Sequence, residues 1–477
     1  MVLRIYNSMT KKKEEFIPLV EGKVGMYTCG QTVYDDLHIG NARTYSNWDV
    51  IARYLRYKGY EVLHIQNFTD VGHLVSDADW GDDKIVRRAA ERHMHPMELV
   101  ENQIADYFQD MANLKIKRPN IMPRATGHIS EMIDLVKALL EKGYAYETPS
   151  GIYFDISKFP DYGKLSGVDL TQQQVGARVE VDKHKRNPLD FALWIKTDPS
   201  HIMQWNSPWG SGYPGWHLEC SVMSMKYIGE TLDIHGGGKD HLGTHHPNER
   251  AQSEAYTGKQ FVRYWLHSEF LNMESETGKA AKMSKSKGLF ITARELIDKY
   301  GGDLVRFYLI TAHYRSPLTF SERALLQAKE SFVKLKTTFA LVHSVLKNES
   351  IEVGNLSSEA LKFKEEFEDA MDDDFNTPKA LSVLFAFSTH LNKQVEDNAE
   401  KSGLKADYEL FLKLAKVLAI EPSPTTSKDQ LIEWLLELRE EARQKKNFEL
   451  ADRIRVALGK LGYVIEDKPW GAIYRKN

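Results

Sequence analysis

A strand, a helix and a second strand follow one another near the start of the chain, and this order constrains the fold most. Residues 24–28 form an apolar run typical of a buried strand, which we expect to break at Cys29-Gly30. Across residues 41–58, apolar side chains recur at three- and four-residue steps, which predicts a helix ending before Gly59. Residues 60–66 have the pattern of the next strand. Strands joined by a crossover helix are parallel, so we predict an α/β fold of the nucleotide-binding class.

Composition narrows the class of protein further. The chain has 477 residues, enough for about three domains, and its net charge is −4. Two cysteines exclude a disulfide-stapled secreted scaffold. The first residues lack the apolar core of a secretory signal, and no apolar run is long enough to span a membrane. We therefore expect a cytoplasmic, monomeric, multi-domain enzyme with no membrane partner.

The sequence His38-Ile39-Gly40-Asn41 lies between the first predicted strand and its helix. Backbone N–H groups and the helix dipole favour phosphate at such a position. A histidine there can donate hydrogen bonds to phosphoryl oxygens, and a glycine lets a nucleobase approach the backbone. Four residues are a weak signal, and an ordinary turn with a surface histidine is the alternative.

A second pattern, Lys-Met-Ser-Lys-Ser, occupies residues 282–286 in a polar loop between Gly278 and Gly288. Two lysines three residues apart can close over a polyphosphate as point charges. Most lysine runs are solvated basic loops, so this pattern alone leaves that interpretation open.

The two cysteines are candidates for a metal site. Cys29 ends the first predicted strand, and Cys220 precedes two histidine-rich segments, the second of which ends at Glu249. Two thiolates, an imidazole and a carboxylate form an acceptable tetrahedral zinc shell. Lone cysteines are more often small buried hydrophobes. The residues alone do not choose among four candidate histidines: His235, His241, His245 and His246.

Together, the two phosphate-binding patterns resemble the H-I-G-H and K-M-S-K-S motifs of class I aminoacyl-tRNA synthetases. The segments around both cysteines, and residues 185–191 and 371–378, resemble those of cysteinyl-tRNA synthetases, and the resemblance covers essentially the whole chain. Asn41 departs from the motif, since the family usually has a second histidine there. The resemblance implies one Zn²⁺ per chain, with four ligands: Cys29, Cys220, His245 and Glu249.

This resemblance also implies an activity: ATP and L-cysteine form cysteinyl-adenylate, and the cysteinyl group then passes to the 3′ end of tRNA(Cys). Mg²⁺ would accompany ATP, and the zinc ion would select the substrate thiolate over a hydroxyl. The catalytic roles fall to His38, Asn41, Lys282 and Lys285. Those four residues would also bind ATP, together with Gly40, Asp240 and Ser284. The substrate contacts fall to Thr69, Trp216 and His235.

The implied architecture is a class I synthetase catalytic domain of Rossmann type, split by an insertion and followed by an all-α helical bundle and a small anticodon-binding domain. We expect the catalytic domain at 1–120 and 213–275, the insertion at 121–212, the Lys-Met-Ser-Lys-Ser loop with a stem-contact region at 276–325, the bundle at 326–424 and the anticodon-binding domain at 425–477.

Local patterns predict further elements. Residues 232–234 form a strand followed by a glycine turn at 236–238, and residues 71–83 form a surface loop before a helix at Lys84. Near the end of the chain, residues 463–465 and 472–474 form two short strands.

From Arg443 to the end there are nine Lys/Arg against four Asp/Glu. A charge run is usually a solvated helix face. The family's anticodon-binding region resembles this segment, in which unpaired bases would stack on Trp470 or Tyr474. Two alternatives remain: a cysteine ligase with a small amine acceptor, for which the all-α region and basic end are unnecessary, and a catalytically silent tRNA-binding paralogue, suggested by Asn41.

Overall fold

A computed structural model of the protein describes most of the chain. The described residues are 2–71, 83–167, 182–198, 201–275, 278–283, 289–346, 351–422, 428–461, 463–468 and 471–476. They form two compact units, Met1–Ile420 and Glu421–Asn477. The division falls four residues before the expected boundary at 424, and the other domain boundaries remain predictions.

The secondary structure alternates strands and helices in the first two thirds of the chain and is helical afterwards. The strands are β1 Arg4–Asn7, β2 Lys12–Glu15, β3 Lys23–Thr32, β4 Glu61–Thr69, β5 Ala145–Glu147, β6 Gly151–Phe154, β7 Phe191–Lys196, β8 Gly212–Pro214, β9 Leu232–Gly238, β10 Val262–Ser268, β11 Leu271–Glu274, β12 Ala280–Lys282, β13 Leu318–Phe320, β14 Tyr463–Lys468 and β15 Gly471–Lys476. The helices are α1 Ile39–Tyr57, α2 Lys84–Glu91, α3 Pro96–Asn113, α4 Ile129–Glu141, α5 Trp216–Tyr227, α6 His245–Thr257, α7 Ala293–Tyr300, α8 Gly302–Leu309, α9 Glu322–Leu346, α10 Ser358–Asp372, α11 Thr377–Glu396, α12 Lys401–Leu418, α13 Lys428–Gln444 and α14 Phe448–Lys460.

The core of the first unit is a parallel sheet in the order β10-β9-β3-β4. The predicted strand–helix–strand unit is present, but the strand does not break at Cys29. It continues to Thr32, with an irregularity in its pairing between Thr28 and Gln31. Gly30 does not end the strand. A Cβ at this position would lie 1.7 Å from the carbonyl oxygen of Asn67 on β4, so glycine permits the close approach of two strands.

The predicted glycine turn at 236–238 is also wrong. All three glycines belong to β9 and pair with the last residues of β10. Their small size makes room on both faces of the sheet. A Cβ at Gly236 would approach Trp48 to 3.2 Å, and one at Gly237 would approach His246 to 2.7 Å.

Smaller sheets surround this core. Residues 129–214 contain α4 and an antiparallel sheet in the order β5-β6-β7-β8. A three-stranded sheet in the order β12-β11-β13 carries Lys282 at the end of β12. Helix α2 begins at Lys84 as predicted, with the Asp83 side chain accepting the first backbone N–H groups, while residues 72–82 of the predicted loop lie outside the described residues.

The second unit consists of α13, α14 and the antiparallel hairpin β14–β15. Its small core is formed by Ile432, Leu436, Ile454, Leu458, Tyr463 and Ile465. The hairpin includes both predicted short strands. Trp470, at its turn, lies outside the described residues, and only the backbone of Tyr474 is described.

None of the helices in the described ranges is long and apolar enough to cross a membrane.

A buried ion pair joins α1 to α8. Arg306 is fully buried, and its Nη2 lies 2.8 Å from Oδ2 of Asp49. The same carboxylate accepts from Nε of Arg53 at 2.8 Å and from the backbone N–H of Lys117 at 2.9 Å. Removing one partner of a buried pair leaves an uncompensated charge, which costs more than the pair itself contributes.

We therefore expect Asp49→Ala to lower the free energy of unfolding by about 3–5 kcal/mol, measured by denaturant titration. The control is Glu230→Ala, which removes the exposed ion pair with Lys259 and should cost under about 1 kcal/mol. Equal losses in the two variants would contradict the role assigned to Asp49.

Candidate metal centre and nucleotide-binding site

Four elements of the first unit converge at one buried point. The second half of β3 supplies Cys29, α5 supplies Cys220 and β9 supplies His235. Helix α6 begins at His245, so His245 and Glu249 lie one turn apart on the same face. All five side chains are buried.

The distances place four of these side chains around a common centre. One ligand atom from each of Cys29, Cys220, His245 and Glu249 lies within 4.8 Å of the other three. Nε2 of His245 is 2.9 Å from Oε1 of Glu249, and Sγ of Cys29 is 3.9 Å from the same oxygen. A tetrahedral zinc ion would need ligand separations of about 3.3–3.8 Å, so small shifts suffice and the residues fit the ion.

Burial and mutual charge set the protonation of this cluster. Burial opposes ionisation of Cys220, but hydrogen bonds with Cys29 and His245 outweigh it and lower its pKa to about 6. Burial raises the pKa of Cys29 well above its usual value. Burial likewise opposes the Glu249 charge, yet the charges of His235 and His245 lower its pKa to about 2.

The imidazole of His245 behaves in the opposite way. Burial lowers its pKa, but the Glu249 carboxylate raises it to about 10, so this ring carries a proton at neutral pH. An imidazole binds a metal through a neutral nitrogen, so metal binding releases that proton.

A second set of four side chains could also hold a metal: Cys29, His235, His246 and Glu249. It shares two members with the first set but offers one thiolate instead of two. Nδ1 of His246 is 2.8 Å from Nε2 of His267, whose Nδ1 is 2.8 Å from Oγ of Ser8. Zinc prefers the softer set with two cysteines.

In the first set, outer contacts orient the ligands. Nε2 of His235 lies 2.7 Å from Oε2 of Glu249, on the oxygen turned away from His245. Nδ1 of His245 lies 2.7 Å from Nδ1 of His217. Such partners fix ring and carboxylate orientation around a metal.

The predicted substrate-contact residues surround this centre. Trp216 begins α5, and its ring centroid is 4.2 Å from that of His245. The hydroxyl of Thr69 donates to Oε2 of Glu219 at 2.8 Å, so its proton is already engaged. His235, also expected to contact substrate, lies within hydrogen-bonding distance of Glu249. Its ring stacks on that of Trp265, with the ring centroids 4.9 Å apart.

The His38–Asn41 motif lies at the N-terminus of α1. Nδ1 of His38 accepts the backbone N–H of Asn41 at 3.2 Å, which leaves the proton of a neutral ring on Nε2. Burial lowers the pKa of His38 to about 4, although the charge of nearby Asp240 raises it, so the ring is neutral at pH 7. The Asn41 amide donates one N–H to Oε1 of Gln31 at 3.1 Å and keeps a second N–H.

The structure brings part of the lysine motif to this helix end. A Cβ on Gly40 would lie 2.7 Å from Cε of Met283, so these two residues are in contact. Lys282 is exposed, with its Nζ 5.1 Å from the centre of the Phe270 ring. Ser284 and Lys285 lie outside the described residues.

Sequence reasoning did not single out Glu219 or Asn67. Glu219 is fully buried beside Thr69, and burial raises the pKa of its carboxyl well above the usual value. Oδ1 of Asn67 accepts the backbone N–H of Gly30 at 2.9 Å and lies 3.9 Å from Sγ of Cys220. The available signal was the position of Glu219, a charged residue directly before a candidate ligand in an otherwise uncharged stretch.

The chain matches known families along most of its length. Residues 15–330 match the model of the class I (C) tRNA synthetase catalytic domain, 366–420 that of the DALR domain, and 429–475 that of the cysteinyl-tRNA ligase anticodon-binding domain. The chain is 45% identical to a cysteine–tRNA ligase of Thermococcus onnurineus over 489 residues, covering 100% of the chain and 99% of the relative. A cysteine–tRNA ligase of Carboxydothermus hydrogenoformans is 44% identical over 480 residues, covering 99% of the chain and all of the relative.

A solved structure shares the fold at low identity. Methionyl-tRNA synthetase of Mycobacterium tuberculosis, in complex with methionyl-adenylate, superposes with a TM-score of 0.61 at 15% identity, covering 86% of this chain and 93% of that one. The predicted class I architecture is therefore confirmed. With matches to all three family models and full-length relatives above 40% identity, the chain belongs to the cysteinyl-tRNA synthetase family.

Proposed function

We propose that this protein is a cysteine–tRNA ligase that activates L-cysteine with ATP and transfers it to the 3′ end of tRNA(Cys). One observation carries the proposal: the cluster of two cysteines, a histidine and a glutamate lies in the same unit as a helix N-terminus at which His38, Gly40 and Met283 meet. The first feature suits a thiol and the second a nucleotide.

The metal would be zinc, held by Cys29, Cys220, His245 and Glu249. When bound, the zinc ion would act as a Lewis acid and bind the substrate sulfur as a thiolate. Cysteine and serine differ by one atom, and a simple pocket separates such near-isosteres by only about 10–200-fold. A site that binds the sulfur atom directly can discriminate more strongly between cysteine and serine.

The nucleotide would lie across the start of α1. His38 would donate its Nε2–H to a phosphoryl oxygen, since Nδ1 already accepts from the backbone. Asn41 would donate its remaining amide N–H, and Lys282 and Lys285, with Ser284, would act on the phosphate chain. Gly40 would let the nucleobase approach, Asp240 would bind the ribose, and Mg²⁺ would accompany ATP.

The amino acid would lie between the metal and the nucleotide. Trp216, packed against His245, would cover the thiol side of the pocket, and Thr69 would contact the substrate amine through the oxygen of its hydroxyl, with His235 nearby. The reaction needs no covalent intermediate on the protein. These residues position the carboxylate for in-line attack on the α-phosphate and stabilise the charge that develops there.

The second unit would bind the anticodon of tRNA(Cys). Arg453 and Arg455 are exposed on α14, and Lys445 and Lys446 are exposed between α13 and α14. Phosphate contacts of this kind supply affinity that depends on salt. The cytoplasm as compartment and the monomer as oligomeric state belong to the same proposal.

The function is tested by cysteine-dependent exchange of pyrophosphate into ATP, followed by transfer of labelled cysteine to tRNA or to small amines. We expect exchange and charging of tRNA(Cys). Absence of exchange would favour the silent paralogue, and transfer to a small amine without tRNA would favour the other rival.

We expect purified protein to contain one zinc per chain, measured by elemental analysis. Cys220→Ser should weaken zinc binding by more than about 100-fold, since it removes a ligand and not an outer contact, and should reduce cysteine activation with it. Ser224→Ala, on the same buried helix, is the matched control and should retain the metal. Wild-type protein with well under one zinc per chain would contradict the assignment.

Replacing both Arg453 and Arg455 with alanine should raise KM for tRNA and leave pyrophosphate exchange unchanged, because the two side chains lie in a separate unit. The slope of log affinity against log salt should fall by about 1 for each lost phosphate contact. Unchanged tRNA affinity and salt dependence would show that this surface does not bind the nucleic acid.

A further inference from the structure

Arg43 is a fully buried cation in the first unit, two residues after Asn41 on α1. Its Nη1 donates to the carbonyl oxygens of Glu269 and Phe270, both at 2.8 Å. Its Nη2 donates to those of His313 at 3.1 Å and Ser316 at 2.5 Å. One guanidinium therefore joins the helix to two separate backbone segments.

Both segments lead into the sheet that carries the first motif lysine. Glu269 and Phe270 directly precede β11, and His313 and Ser316 precede β13, which pairs with β11. Strand β12 also pairs with β11 and ends at Lys282, opposite Asn272. The sheet order is β12-β11-β13, so Arg43 holds the residues that precede β11, with which β12 pairs, and those that precede β13, the other neighbour of β11.

The Phe270 residue links this anchor to Lys282 directly. Its carbonyl accepts from Arg43, and its ring lies 5.1 Å from the Lys282 ammonium. At the other end of the path, α1 presents His38 and Asn41 at its N-terminus. The buried side chain of Arg43 thus connects the helix that begins beside His38 with the sheet that carries Lys282.

We propose that Arg43 is a positioning residue for nucleotide binding, which sets the place of Lys282 relative to His38 and Asn41. The inference rests on the proposed function, because it takes those three side chains as the ATP contacts. Arg43 itself does not touch the nucleotide in this proposal and acts through the sheet.

The guanidinium group is suited to this task. It offers donors in a planar fork, and here the two terminal nitrogens each serve a different segment. Lysine offers a single ammonium and cannot span both pairs of carbonyls. Burial lowers the pKa of Arg43 only to about 10, so the charge persists at neutral pH.

Arg306 provides a matched control. It is also fully buried and also contacts α1, through Asp49, and its Nε donates to the carbonyl oxygen of Leu418 at the end of α12. If disturbing any buried arginine beside α1 were enough to weaken MgATP binding, Arg43→Lys and Arg306→Lys would both raise the Kd for MgATP.

The experiment measures the Kd for MgATP by calorimetry on the full chain. Arg43→Lys should raise it about ten- to hundredfold, because small displacements of a positioned group cost that much, while Arg306→Lys should leave it within about twofold. The zinc content and the Kd for cysteine should stay unchanged in both, because the metal cluster lies on β3, α5 and α6. Equal effects of the two substitutions on ATP would overturn the proposal.

A double-mutant cycle with Lys282→Ala gives the decisive comparison. If Arg43 acts through Lys282, Arg43→Lys should change the Kd for MgATP much less in the Lys282→Ala background than in the wild type. The same fold-change in both backgrounds would overturn the proposal. Where Arg43→Lys does not fold, Arg43→Gln, which removes the buried charge and keeps an amide donor, takes its place in the cycle.

Failure of this inference and failure of the proposed function give different results. A wild-type chain that binds MgATP but shows no cysteine-dependent exchange would contradict the function alone. An unchanged Kd for MgATP in Arg43→Lys, with exchange present in the wild type, would contradict only the role of Arg43.

Discussion

The carboxylate of Glu249 has no contact with solvent, and the buried centre of the first unit depends on how its charge is balanced. A lone buried carboxylate would take up a proton, since desolvation disfavours its charge. Here His245 faces one oxygen and His235 the other, at 2.9 and 2.7 Å. The two imidazoles bring together β9 and α6, and the same carboxylate lies beside Cys29 of β3. The balance of charge around Glu249 therefore favours an arrangement of β3, β9 and α6 that also suits a metal.

The proposed nucleotide-binding side of the unit is held together by backbone contacts instead. Ile39 donates its N–H to Ile291, and Ala293 donates to Leu37, so the segment after the lysine motif is joined to the helix that begins with the histidine motif. On the other side of the loop, Arg43 holds the strands before it. The two motifs are far apart in the sequence, but segments on both sides of the lysine motif are hydrogen-bonded to α1 or to the residues just before it.

Much of this could be predicted from the sequence. The family and the class I architecture, predicted from the two motifs and the cysteine segments, are confirmed. The errors concern glycine. The first strand was expected to break at Cys29-Gly30 and residues 236–238 to form a turn, but Gly30 and Gly236 both lie inside strands. A Cβ on Gly30 would clash with the carbonyl oxygen of Asn67, and one on Gly236 would lie 3.2 Å from Trp48. Local sequence does not contain that information, since the neighbours come from other parts of the chain. The Arg43 contacts and the engagement of Asn41 with Gln31 are hidden for the same reason.

The distance along the chain between the metal-cluster residues has a consequence for biosynthesis. Cys29 and Glu249 are 220 residues apart in sequence, yet their side chains lie 3.9 Å apart in the fold. A ribosome adding 5–20 residues per second needs about 10–40 s to cover that interval. Throughout that time the nascent chain carries Cys29 without the helix that buries it, and β3 lacks its parallel neighbour β9. The thiol is therefore open to oxidation or to capture of a metal in an incomplete shell before the native site exists.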